Sequence, residues 1–371
     1  MFIVFILVAL VVYSLLVYYI GRSGWSFFKP SNATGWKWIY IGCVVLLSTS
    51  FLLGRIGHGT IILQVIGSYW IMLFCLLLLL LPIVHICIWL LGYTRLPRHR
   101  VKRVAGIVIL ITLITCIAYG SYNAYSPVVR TYEIEIENEA LANEKLSIVM
   151  AADMHFGHLS GSNHAKRLVS QVNALHPDLV LFPGDLIDDD IRPYLNKGID
   201  EILQGIESTY GVYASLGNHD KDKGTMKELI ASLERSNMTL LYDESITIAD
   251  KFTLIGRKDK SDPDRAQLSE LLVEVDQTKP LFLLEHQPYE LGTAADQGID
   301  LMVSGHTHRG QIAPAHLFTQ MIYENDWGYL LKGSMHSIVT SGYGFWGPPI
   351  RIGSQSEIVH IIVTFTDGKS E

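Results

Sequence analysis

The sequence predicts an α/β domain over residues 127–371, preceded by an all-α region over residues 1–126 whose four helices cross a membrane. Three observations carry this division. Residues 1–127 hold nine Lys and Arg and no Asp or Glu, whereas residues 128–371 hold twenty against thirty-six, so a net charge of +9 is joined to one of −16. Four long apolar runs lie in the first part. Five short apolar runs in the second part each end in Asp, Asn or His, the texture of buried strands with reactive groups at their C-terminal ends.

The long apolar runs cover residues 2–20, 38–53, 69–91 and 104–119. The first and third are long enough to cross a bilayer alone; the second and fourth need their flanks. No basic segment precedes the first run, and further spans follow it, so a cleaved signal peptide is not expected. The loop "GRSGWSFFKPSNATGWK" carries Arg22, Lys29 and Lys37, and "GYTRLPRHRVKR" carries Arg95, Arg98, Arg100, Lys102 and Arg103. Between them, "GRIGHG" offers only Arg55. Positive-inside bias therefore puts the first and third loops in the cytoplasm and the α/β domain outside it. Trp25, Trp36, Trp38, Trp70 and Trp89 near span ends suit interfacial anchoring. No Asp or Glu lies within the spans, which argues against a transporter with a regulatory domain. Cys43, Cys75, Cys87 and Cys116 all sit in the apolar part, so neither disulfides nor cysteine metal sites are expected in the other. That acidic part has no basic stripe, which excludes a nucleic-acid partner.

Within the second part, "YEIEIEN" alternates apolar and acidic residues as a half-buried strand does. The five runs that follow are "LSIVMAAD", "DLVLFPGD", "GVYASLGNHD", "PLFLLEH" and "DLMVSGH". Helices are expected over residues 163–175, 196–208, 225–236 and 264–276, and further strands at "MTLLY", "FTLIG", "SIVTSG" and "EIVHIIVTF".

Each strand end alone is weak. An Asp-x-His such as Asp153 and His155 is usually a solvent-facing loop, Gly184-Asp185 is common by chance, the Gly217–Asp220 stretch suits a tight turn, and His286 can be a core histidine. Five successive strand ends of this kind, closed by His306 and His308, form a pattern. A pair of divalent cations requires such a set, because two close cations repel and need an anion between them. Imidazole with carboxylate suits Zn, Fe or Mn better than Ca or Mg. One residue between two ligands on an extended segment returns both to one face, which accounts for Asp153-x-His155 and His306-x-His308. Glycines ahead of the ligands permit sharp turns.

The order "DMH … GD … GNHD … H … GHTH", spanning residues 146–366, resembles the calcineurin-like metallophosphoesterase superfamily. The resemblance implies a four-layer α/β/β/α sandwich of two mixed sheets and two divalent ions (Mn, Zn or Fe). Asp153, His155 and His308 would hold one ion, Asn218, His286 and His306 the other, and Asp185 would bridge them. It also implies hydrolysis of a phosphoester or pyrophosphate bond by metal-activated hydroxide, with His219 as general acid rather than ligand. Asp220 would orient His219 or cap the following helix. The tail "SGYGFWGPPIRIGSQSEI" resembles a membrane-associated bacterial branch, some members of which cleave UDP-diacylglucosamine or other envelope lipids. A multi-pass protein of the bacterial inner membrane is expected, and because four spans exceed what anchoring needs, its expected substrate is a phospholipid or lipid-linked phosphate or pyrophosphate. The competing reading is a catalytically silent metal-binding sensor or scaffold on the same fold.

Several residues remain outside the pattern. Arg309 serves as a phosphate contact or a surface charge. Arg55 and His58 meet a lipid phosphate or simply lie at the interface. His158 is a neighbour of the metal loop, whereas His164, His176, His316, His336 and His360 are expected to be structural or exposed. The aromatic stretches at residues 316–331 and 342–349 are expected to pack the sandwich edge, the alternative being contact with acyl chains or a bilayer surface.

Overall fold

The computed structural model describes residues 2–28, 33–54, 61–221 and 224–368. It divides into two compact units, Met1–Ala118 and Tyr119–Glu371. The first contains helices α1 (Phe2–Phe28), α2 (Ala33–Leu53), α3 (Ile61–Leu91) and most of α4 (Arg98–Tyr125). All four are long and apolar enough to cross a membrane. The helices outrun the apolar runs because polar flanks such as "GRSGWS" continue the helical backbone. Ile20, Phe27, Trp70, Phe74, Leu81 and Ile109 meet inside this unit. Its buried polar groups bond internally, as hydrocarbon surroundings demand: Trp70 Nε1 donates to Tyr13 Oη at 2.7 Å, and Tyr13 Oη donates to the Ser48 carbonyl at 2.8 Å. Most other apolar side chains face outward, which is stable in lipid and not in water. The protein is a membrane protein. Arg55 and His58 lie outside the described residues.

The second unit is built on twelve strands: β1 (Val128–Glu137), β2 (Lys145–Met150), β3 (Leu179–Pro183), β4 (Val212–Ser215), β5 (Met238–Leu240), β6 (Glu244–Ile248), β7 (Phe252–Gly256), β8 (Leu281–Leu284), β9 (Leu301–Ser304), β10 (Gly328–Lys332), β11 (Met335–Val339) and β12 (Glu357–Thr366). One mixed sheet has the order β1-β12-β2-β3-β4-β5, the other β10-β11-β9-β8-β7-β6. Strands β2 to β5 run parallel, as do β7, β8, β9 and β11. The period-2 alternation of each strand feeds two cores. Ile148, Met150, Leu179 and Leu181 meet Phe282, Leu284, Leu301 and Val303 between the sheets. Val149, Ala151, Val180 and Phe182 face away from that core, under α5 (Ser162–Asn173), α6 (Ile191–Asn196), α7 (Ile199–Leu203) and α8 (Met226–Arg235). Leu281, Leu283 and Met302 likewise face α9 (Leu268–Leu271) and α10 (Leu291–Asp296). The result is the expected four-layer α/β/β/α sandwich. Both faces of the central strands are covered, which is why they read as unbroken apolar runs.

Two expected helices are different in the structure. Residues 196–208 hold only the second of two short helices, because Gly198 interrupts the pair with a left-handed φ of 57°. Residues 264–276 form one turn, α9, closed by a capping box between Gln267 and Glu270. The preceding "DKSDPDR" instead binds its own charges: Asp259 accepts from Ser261 and from Lys221, and Lys258 donates to Asp264. The last helix, α11 (His316–Ile322), falls within the first aromatic stretch.

Candidate metal centre

The C-terminal ends of β2, β3, β8 and β9 deliver Asp153, Asp185, His286 and His306 to one place, and the loop after β4 joins them there, His219 N, next to Asn218, donating to Asp185 Oδ1 at 2.9 Å. Backbone bonds tie the loops together: Asp153 N donates to Gly184 O at 3.1 Å, His155 N to Asp185 O at 3.1 Å, and Gly305 N to His286 O at 3.0 Å. The local backbone is not extended, contrary to expectation. Asp153, His155, Asp185, His306 and His308 all have positive φ, between 43° and 70°. Left-handed non-glycine residues cost about 1–3 kcal/mol each and persist only where their surroundings hold them. Asp153 and His155 still share a destination, while Met154 between them is fully buried in the helix-side core. Gly184 has φ 85°, and a Cβ there would sit 2.5 Å from His286 Nδ1, so only glycine fits.

The donors form two adjoining groups that can hold metal ions. Asp153, His155 and His308 compose one, and Asp185, His286 and His306 the other. His306 and His308 thus point to different groups from one short turn. Asp185 Oδ2 lies 3.1 Å from His286 Nε2 and 3.7 Å from His155 Nε2, between the two groups. The His155 and His308 Nε2 atoms are 3.1 Å apart, and His308 Nε2 is 3.8 Å from Asp153 Oδ1.

Several features show that these residues fit divalent cations. Among the described residues, Asn218 Oδ1 is buried without a hydrogen-bond partner, and His286 Nε2 is buried facing only the Asp185 carboxylate at 3.1 Å, an arrangement costly unless a cation takes their lone pairs. His286 Nδ1 lies 2.9 Å from the Pro183 carbonyl, which fixes the proton on Nδ1 and turns Nε2 inward as a ligand. Asp153 and Asp185 are almost fully buried. Burial first, with the Asp185 charge adding to it, pushes Asp153 up to about 7. Burial opposes ionisation of Asp185, but the imidazoles of His286 and His155 beside it hold its carboxyl well below the usual range. Burial lowers His155 to about 3 and His306 to about 4, and drives His308 down as well, so their imidazoles are neutral donors at neutral pH.

His219 is set apart from these neutral rings. Its ring lies edge-on to His155, with centroids 5.1 Å apart, and its Nδ1 is 2.7 Å from Asp189 Oδ1. Burial opposes its protonation, but the Asp189 hydrogen bond and the charges of Asp185, Asp189 and Asp188 win and raise its pKa to about 9. It also completes a third cation-capable grouping with His155 and Asp188. Asp220 takes neither expected role. Its Oδ1 accepts from Ile187 N at 2.9 Å and its Oδ2 from Gly217 N at 2.8 Å, so it pins the β3 and β4 loops together, while Thr225 begins the next helix.

Three functional neighbours escape a reading by motif. Asp188 and Asp189 belong to the acidic run that follows Gly184-Asp185, a signal visible in the sequence. Arg351, in the tail, is fully buried under the site. It donates to the Ser341 and Gly344 carbonyls at 2.6 and 2.7 Å and lies 3.2 Å from His308 Nδ1. Arg309 stacks over Trp327 at 3.7 Å. His158 has a carbonyl held by Lys197 at 3.0 Å and joins no metal-capable group among the described residues. His164 packs on Tyr343, His336 Nε2 meets the Glu135 carbonyl at 2.9 Å, and His360 Nε2 meets Ser147 Oγ at 2.9 Å. The aromatic stretches divide: Tyr343 and Phe345 are core, as expected, but α11 has no buried residue.

Comparison with known proteins agrees with this geometry. Residues 146–310 match the calcineurin-like phosphoesterase family. A metallophosphoesterase of Campylobacter jejuni is 33% identical over 242 residues, covering 63% of this chain and 62% of that protein. One from Helicobacter pylori is 32% identical over 227 residues, covering 59% and 60%. A Danio rerio protein described as a transmembrane protein with metallophosphoesterase domain is 29% identical over 274 residues, covering 69% and 62%. The chain therefore spans about three-fifths of the length of these relatives.

Proposed function

The domain that carries this site belongs to the calcineurin-like metallophosphoesterase family, and from that premise we propose that the protein is a membrane-anchored, dinuclear metal-dependent phosphoesterase. Its proposed reaction is hydrolysis of a phosphoester or pyrophosphate bond in a phospholipid or lipid-linked substrate. The observation that carries the reading is the meeting of two adjoining donor groups, with Asp185 3.1 Å from His286 of one and 3.7 Å from His155 of the other, beside a histidine held by its own carboxylate. Asp153, His155 and His308 would hold one divalent ion; Asn218, His286 and His306 would hold the other; Asp185 would serve both. Such ions, when bound, supply Lewis acidity toward phosphoryl oxygens and make water nucleophilic near neutral pH.

The remaining steps fall to the chain itself. Asp189 holds His219 by Nδ1 and favours the imidazolium, so the Nε2 proton is the one offered to the leaving oxygen. Asp220 fixes the two loops that carry Asp185 and His219, keeping acid and ligands in register. Trp346, 48% exposed, lies 6.1 Å from the His219 ring and gives the site an apolar wall.

The lipid reading rests on the four spans, more than anchoring requires, since one transmembrane helix already tethers a domain irreversibly. The basic loop at Arg95–Arg103 supports an inner-membrane orientation with the domain outside the cytoplasm. The test is turnover by the purified full chain with Mn²⁺, comparing phospholipids and lipid-linked pyrophosphates with soluble nucleotides and diesters. Faster hydrolysis of the membrane-embedded substrates is expected. Far faster hydrolysis of soluble nucleotides would reject the lipid assignment while leaving the phosphoesterase in place.

A further inference from the structure

The helix α11 is inside out. Leu317, Phe318, Met321 and Ile322 are 53%, 65%, 83% and 60% exposed, and at this spacing they share one helical face. The polar Thr319 points the other way, its Oγ1 donating to Asp326 Oδ2 at 2.7 Å. A soluble helix has the opposite arrangement. Elsewhere on the sandwich, exposed aliphatic side chains such as Val129, Ile246 and Val273 occur singly, which is ordinary.

The patch is fixed against the metal centre. Gly310, two residues after His308, has φ 68°, and a Cβ there would collide with the backbone of Ala315 and His316. That close approach seats the start of α11 on the 308–310 turn. Asp326 ties its far side through a second bond, its carbonyl accepting from Thr307 Oγ1 at 2.6 Å. Tyr323, directly after Ile322, has its ring 6.0 Å from that of His306. The apolar face therefore begins where the site ends.

We propose that α11 inserts its apolar face into the acyl region of the bilayer that the chain's own spans cross. Three observations select lipid as the occupant. The face carries no charged side chain and presents only Leu, Phe, Met and Ile, the chemistry of hydrocarbon contact. The chain is a membrane protein, so a bilayer is always at hand. The domain is strongly acidic, so contact of its surface with lipid is favoured by apolar insertion rather than by attraction to anionic headgroups. Insertion here would hold the mouth of the metal centre at the lipid surface. The proposal concerns a contact, and it stands or falls apart from the catalytic reading.

The test places the photoreactive residue p-benzoylphenylalanine at position 321 of the full chain, in place of Met321. Val273, 79% exposed and far along the sequence, receives the same residue as control. Each protein is reconstituted in phosphatidylcholine nanodiscs, irradiated and analysed by intact mass. Lipid adducts at position 321 in at least about fivefold excess over position 273 are expected, since an inserted helix meets acyl C–H bonds at bilayer depth. Comparable or lower lipid yield at position 321 overturns the proposal. An adduct to a second copy of the chain overturns it too, and assigns the face to self-association.

Discussion

Replacing Arg351 with methionine removes a fully buried guanidinium that bonds the carbonyls of Ser341 and Gly344 and faces His308 Nδ1. Burial lowers its pKa to about 10, which still leaves it charged at neutral pH. Methionine fills much of the same volume, so the loss is chiefly one of bonding. The Ser341 carbonyl becomes a buried acceptor without its 2.6 Å donor, at a cost of about 1–3 kcal/mol. Gly344 O loses two Arg351 donors but keeps a 3.4 Å contact from Ser356 Oγ, which limits its share to about 1 kcal/mol. His308 Nδ1 loses its partner as well, and relief of the buried charge offsets part of the sum. A net destabilisation of about 3 kcal/mol follows, or about 6–12 °C in Tm for a domain of this size. Lysine keeps the charge but delivers its donors from one point, so Arg351→Lys should lie between methionine and wild type. Thermal unfolding of the purified full chain, followed by intrinsic fluorescence in one detergent, reads all three. A methionine variant within 2 °C of wild type, or a lysine variant less stable than methionine, would refute the reasoning.

His219→Ala should keep the bound metal yet lose about 10²-fold or more on a poor leaving group, with a smaller loss on p-nitrophenolate, which needs no proton. Equal losses on both would remove the acid role. Asp189→Ala, which frees Nδ1 of the same ring, should cost about tenfold with the same leaving-group dependence, the carboxylate being largely exposed. His164 supplies a pH dependence apart from the metal centre. Burial lowers its pKa from 6.5 to about 4, so below pH 6.5 the unfolded chain takes a proton that the folded one refuses. Stability is fully present above pH 6.5 and falls as pH drops toward 4, by at most about 3 kcal/mol. His164→Gln should flatten that part of the acid-unfolding profile, and an unchanged slope contradicts the assignment. For topology, Val273→Cys should react with an impermeant maleimide in intact spheroplasts; labelling only after lysis would invert the orientation.

The sequence exposed the candidate metal donors more readily than the helices. A metal centre must collect side chains from several strand ends, so Asp153, Asp185, Asn218, His286 and His306 each followed an apolar run that was legible as a buried strand. The left-handed backbone at five of the donors was not legible, because φ is set by the loops crossing at the site rather than by the residue's own preference. Residues 264–276 were expected to be helical, yet Ser261 and Lys221 donate to Asp259 and Lys221 pairs with Asp262, which holds the segment before α9 as a loop. Arg351 could not be placed from sequence, since an arginine is ordinarily exposed and only the folded tail shows the carbonyls that bury it. Asp220 was misread for the related reason that the two backbone donors it accepts from, Gly217 N and Ile187 N, lie on different loops. The aromatic stretch at residues 316–331 was expected to pack inward; α11 turned its apolar face out, and amphipathic spacing alone does not say which side the protein is on.

The central claim is that two divalent ions share Asp185, and metal content compared between wild type and Asp185→Asn tests it most directly. Full chain stripped with a chelator, reloaded with Mn²⁺ and passed through a desalting column should retain about two ions per chain. The same protein should hydrolyse bis(p-nitrophenyl) phosphate only when reloaded. Asp185→Asn removes the carboxylate charge that lies 3.1 Å from His286 and 3.7 Å from His155, one from each donor group, so its content should fall well below one ion per chain, with folding checked by circular dichroism. A folded Asp185→Asn protein that still retains about two ions, or hydrolysis by wild type that survives the chelator, would contradict the account.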